Sequence, residues 1–133
     1  MKKIVLMILS IFVLFGFAGC TSNTDKMEVL EWTPSEIYTD EEIHSAIDVV
    51  CSDFRHWKGC KLDTITYAGD DVSIAHIDWA TRYHFDQALV LVSSFSTNNN
   101  PEEPLEKNET YDNYKWILIR KDGGEWSHVD NGF

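Results

Sequence analysis

The sequence predicts an α+β fold, in which a long amphipathic helix and a second short helix pack on a curved, mainly antiparallel sheet. Three observations carry this. Apolar residues recur at three- and four-residue steps from Ile43 to Trp57, a solid apolar run fills Ala88 to Val92, and two strand-like segments flank Asp122-Gly123-Gly124.

Thr39-Asp40-Glu41-Glu42 has the form of a capping box, so a helix starts there. Ile43, Ala46, Ile47, Val50, Phe54 and Trp57 share one face, which predicts about five turns stopped by Gly59. Cys60 to Tyr67 alternates weakly and contains Thr64, Ile65 and Thr66, the β-branched composition of a strand, and ends at the turn Gly69-Asp70-Asp71. Ser73 caps a second helix to Tyr83, with Ile74, Ile77, Ala80 and Tyr83 facing inward. Ala88 to Val92 has the composition of a strand covered on both faces, and Ser93 to Thr97 extends it. Residues 98–113, with three consecutive asparagines and two prolines, read as a mobile loop. Trp116 to Lys121 and Glu125 to Asp130 form the closing hairpin, and one core between helix and sheet takes both apolar faces.

The amino terminus has a different character. Lys2 and Lys3 precede fifteen uncharged residues, Ile4 to Ala18, as in a secretory signal and too short for a settled membrane span. Phe17-Ala18-Gly19-Cys20 resembles the lipobox of bacterial lipoproteins, with Phe17 where leucine is usual. That resemblance implies a signal peptide over 1–19 and a lipidated Cys20 on the outer face of a bacterial cytoplasmic membrane. Thr21 to Glu36, polar, with Pro34 and without a sustained period, reads as a tether, a short edge strand over Val29 to Trp32 being the alternative, and one globular domain follows over 37–133. Two acyl chains hold a protein stably at a bilayer where one does so only marginally.

From residue 20 onward nine Lys and Arg face 22 Asp and Glu, a net charge of −13. Such a surface disfavours nucleic acid and anionic head groups and favours basic partners, and it also serves simple solubility. Local motifs for nucleotide binding, serine hydrolysis and zinc proteolysis are absent from the sequence, and no cofactor is expected. Cys51 and Cys60 admit three readings: a disulfide, two buried thiols, or, with His56, an incomplete metal set lacking a fourth ligand.

The segments at 37–43 (IYTDEEI), 54–62 (FRHWKGCKL), 87–94 (QALVLVSS) and 114–133 (YKWILIRKDGGEWSHVDNGF) resemble a family of small uncharacterised lipoproteins of Gram-positive, chiefly clostridial, bacteria. That family is similar to the cone fold of nuclear transport factor two and ketosteroid isomerase. The likeness implies a fold and carries no site residues.

Alternation places Trp126, His128 and Asp130 on one face of the last strand and Trp116, Leu118 and Arg120 on one face of its partner. Trp116, Trp126, His128 and Asp130 are therefore the candidate ligand-binding set. The leading reading is a non-enzymatic module at the envelope that binds a small molecule, a peptide or another envelope protein. The alternative is an isomerase-like enzyme using an acid or histidine in an aromatic cavity.

Overall fold

A computed structural model describes residues 23–133; the expected signal peptide and Cys20 lie outside them. Thr39 opens α1 (Asp40–Phe54) as its sequence demands. Its hydroxyl accepts from the Glu42 amide at 3.1 Å, and Glu42 Oε1 accepts from the Thr39 amide at 2.8 Å. Ile43, Ala46, Ile47, Val50 and Phe54 are buried on one side of these 15 residues. The helix ends a turn earlier than its spacing suggested. The chain tightens, with the His56 amide donating to Asp53 O and that of Trp57 to Phe54 O. Gly59, at φ +69°, then serves the entry to the next strand, where a Cβ would lie 2.5 Å from Asn100 O.

The sheet comprises β1 (Glu28–Val29), β2 (Cys60–Tyr67), β3 (Gln87–Thr97), β4 (Thr110–Arg120) and β5 (Ser127–Gly132), adjacent in that order. β1 runs parallel to β2 and the other neighbours are antiparallel, giving a mixed, open sheet. β4 begins at Thr110, earlier than expected, because Tyr111 stacks on Phe95 at 5.0 Å and Tyr114 meets it edge-on at 5.1 Å. The intervening loop is correspondingly shorter. Its Asn98 amide donates to Gly59 O and its Glu102 amide to Lys58 O, which fastens it to the turn after α1.

The second helix is two. α2 (Asp70–Ala75) and α3 (Ile77–Arg82) meet at His76, whose φ of −106° breaks the helical path. Ser73, read as a cap, is buried instead and accepts from the Val90 amide at 3.0 Å. Ala80 faces inward as expected, but Ile74, Ile77 and Tyr83 are exposed.

Two apolar clusters replace the single core. α1 covers Leu62, Ile65, Leu89, Leu91, Phe95, Trp116 and Leu118, while Ala80 of α3 packs on Ala88 and Ile119 together with Trp79, Phe85 and Val129. The division follows from β3, whose consecutive apolar residues need cover on both faces.

Residues 23–36, expected to hang as a tether, are part of the fold. Asn23 Nδ2 donates to Phe54 O at 2.8 Å and Asn23 O accepts from the Leu62 amide at 2.9 Å. Farther along, Glu28–Val29 form the edge strand and Ser35 Oγ donates to Asp70 Oδ1 at 2.6 Å. Composition hid all of this but the edge strand admitted as the alternative, because the segment is held by main-chain and capping bonds and by the isolated contacts of Met27 and Trp32 with the core rather than by an apolar period.

Candidate functional site

The four candidate residues do not share one face. β4 and β5 slip register between Ile117 and Leu118, so that Asp130 stands opposite Ile117 and His128 opposite Leu118, leaving Val129 as an extra residue. His128 lies on the α1 side, its ring 5.1 Å from that of Trp116, whereas Val129 joins the opposite cluster and Asp130 is exposed. Asp130 thus drops out of the set because of a bulge that no pattern of residue types announces.

The residue His128 does meet is Asp53, near the end of α1, with Nδ1 and Oδ2 2.8 Å apart. Its other nitrogen lies 3.1 Å from Asn131 Oδ1, and Asn131 Nδ2 donates to the Tyr114 hydroxyl at 2.6 Å. In this orientation both ring nitrogens face acceptors, the arrangement an imidazolium satisfies; turning the amide over completes the same chain around a neutral ring. Either way both nitrogens are engaged. The chain fastens β5 to α1 and to Tyr114, leaving no ring nitrogen facing a void.

Trp116 is 0 % exposed and fills the space beneath this histidine, its ring tilted against Trp57 and edge-on to Phe54. Its indole N–H donates to Ser93 Oγ at 2.8 Å. Trp126 lies in the same apolar cluster as Trp116, at the start of α1, where its indole N–H donates to Glu42 O at 3.0 Å. Arg120, 5 % exposed, stacks on the Trp126 ring at 4.3 Å, pairs with Glu42 Oε2, and donates from Nε to Gln87 Oε1 at 2.6 Å. The Thr39 amide and the guanidinium of Arg120 together hold the Glu42 carboxyl below its ordinary range. Strand alternation correctly placed Arg120 with Trp116 and Leu118; its partner on α1, 78 positions away in the chain, was beyond local pattern.

Cys51 and Cys60 are free thiols. Cys51 Sγ lies 3.6 Å from Met27 Sδ, and Cys60 Sγ lies 3.5 Å from Lys58 O, so each has a local neighbour of its own. Burial pushes the Cys51 thiol up to about 11 and raises that of Cys60 as well. Among the described residues no group of three His, Cys, Asp or Glu side chains is placed to hold a metal. No helix there is long and apolar enough to cross a membrane.

What the surface offers is grooves. One of about 750 Å³ runs past Glu41, Ser45, Asp48 and Glu125 to the Arg120–Trp126 stack. A second, of about 420 Å³, lies along Val29 to Trp32 and reaches Asp40 and His44. A third, near Asn23, is lined by Arg55, Lys61 and the Ser96–Asn98 stretch. Acidic side chains outnumber Lys and Arg in the lining of the first two, Glu41, Glu42, Asp48 and Glu125 against Arg120 in one and Glu31 and Asp40 in the other, which suits cationic ligands by sign.

Comparison with protein-family models, with curated proteins and with solved structures gave no match.

Proposed function

We propose that this chain is a lipid-anchored, extracytoplasmic binding module held at the bilayer through Cys20, a relative of the small Gram-positive lipoproteins that its motifs resemble. The observation that carries this is the order Lys2-Lys3, a charge-free stretch, then Phe17-Ala18-Gly19-Cys20. Folded structure begins by Asn23, three residues past Cys20. At roughly 3.5 Å per residue an anchor there keeps the domain within about 10 Å of its lipid.

The cone-like wrap of the sheet about a long amphipathic α1 belongs to the same proposal. One register slip in each of the three antiparallel ladders supports it, because a bulge bends and twists its strand.

The site offers binding rather than turnover. An isomerase-like enzyme needs a void around its acid or histidine, and here Trp116 and its aromatic neighbours occupy that space while His128 is engaged at both nitrogens. The acid-rimmed grooves take a basic peptide or protein in preference to an anion. Cell fractionation of a Cys20→Ser variant tests the reading: the variant is expected to lose palmitate labelling and leave the lipidated pool. Unchanged labelling overturns it.

A further inference from the structure

Among the described residues, the outer edge of β1 carries main-chain groups that the sheet does not use. Val29 stands opposite Ile65, and the Leu30 amide donates to Ile65 O at 2.9 Å. In a parallel ladder of this register residues 28 and 30 turn their main-chain groups toward β2, and Val29 turns its N–H and C=O outward. Val29 and Leu30 are each 38 % exposed. Such an edge is a ready template for another strand.

The groove alongside it is walled by Val29, Leu30, Trp32 and Pro34, with the Trp32 ring braced on His44 at 5.3 Å. The carboxylates in its lining are Glu31 and Asp40, and no Lys or Arg lines it. A second copy of the same edge would set Glu28 and Glu31 against like charges, which disfavours self-pairing.

We propose that this edge receives an extended basic segment of another envelope protein. The segment adds a strand beside Val29, its alternate apolar side chains enter the groove beside Trp32 and Pro34, and its Lys or Arg residues meet Glu31 and Asp40. This rests on the reading of the chain as a binding module and names the chemistry of its partner.

The test is a titration of the ¹⁵N-labelled full chain in detergent with an acetylated hexapeptide in which Lys and Val alternate, and with its Glu–Val counterpart. The lysine peptide is expected to shift the amides of Val29 to Trp32 and of His44, and to do so less as salt is raised. Val29→Pro removes the outward N–H while leaving the bonds to β2, and weakens binding about tenfold. Glu31→Gln with Asp40→Asn weakens the lysine peptide and not an uncharged Thr–Val analogue. Should Val29→Pro lose its native amide dispersion, Leu30→Ser, which removes apolar contact without adding charge, supplies the same readout through its side chain. Cys20→Ser leaves the titration unchanged, so failure of the anchor and failure of this site are read separately. Equal binding of the glutamate peptide, shifts confined to other surfaces, or no saturable shift overturns the proposal.

Discussion

His128 shows how a residue chosen for chemistry is used for construction. Its ring joins Asp53 to Asn131 and Tyr114 and covers Trp116. Replacing it with alanine removes two hydrogen bonds and leaves a hole against an indole, a loss on the order of 2–4 kcal/mol visible as a lower denaturation midpoint. Arg120 is expected to be as costly to lose. Glu42→Ala leaves its buried guanidinium without its carboxylate partner and also dismantles the capping box, so it lowers the melting temperature more than Thr39→Ala, whose lost cap is worth about 1 kcal/mol. The thiols give a further check. Burial raises Cys51 to about 11, so it reacts slowly with maleimide at neutral pH and rapidly once unfolded, and the native chain counts two thiols at positions 51 and 60. Strand alternation brought His128 and Trp116 to notice, and cysteine spacing brought Cys51. Neither brought Asp53 or Asn131, because their roles arise from a bulge and from a contact between elements 75 positions apart in the chain.

At the scale of elements, the parts that local rules govern were legible. The capping box, the β2 strand and the Asp122-Gly123-Gly124 turn stand where their residues put them, the turn closing with the Gly124 amide donating to Lys121 O at 2.7 Å. What local rules missed is the work of long-range bonds. Asp70 accepts from the Ser35 and Tyr67 hydroxyls and from the Glu36 amide, latching the chain before α1 onto the start of α2. The Ser35 hydroxyl, foremost, and then that of Tyr67 and the Glu36 amide hold the Asp70 carboxyl below its ordinary value. A depressed carboxyl stabilises the fold above the unfolded-state value and loses that contribution as pH falls through the folded one. Acid unfolding monitored by circular dichroism is therefore expected to shift to higher pH on Ser35→Ala, which removes the largest cause. Tyr38 and Tyr67 give the opposite limb. Burial raises both to about 12, against an ordinary value of 10.0, so the stability they lend is complete below pH 10 and is lost between 10 and 12. The alkaline transition is expected to move upward in a Tyr67→Phe variant only if its lost bond to Asp70 is compensated, and Tyr ionisation followed in the ultraviolet separates the two effects. Gly59→Ala is expected to loosen the loop 98–109, since its Cβ meets main-chain atoms of Asn100 and Pro101 rather than a movable side chain.

For the whole molecule, the largest departure from the sequence reading is the segment after Cys20. Polar composition and Pro34 read as a tether, yet Asn23, β1 and Ser35 are tied to α1, β2 and α2. Deleting residues 23–32 is therefore expected to destabilise the domain, where removing a free tether would leave its melting curve unchanged. The net charge of −13 from residue 20 on remains the best guide to partners, and its carboxylates rim the grooves beside α1 and β1. On the proposed reading, a short link, a domain that starts almost at the anchor and an acidic edge make a module that meets basic segments close to the membrane. Intact-mass spectrometry of the chain extracted from membranes, with sequencing of its first residues, tests that account most directly. It predicts a protein beginning at Cys20 whose mass exceeds the polypeptide by a diacylglycerol group; a chain that begins at Met1 or past residue 20, without lipid, contradicts it.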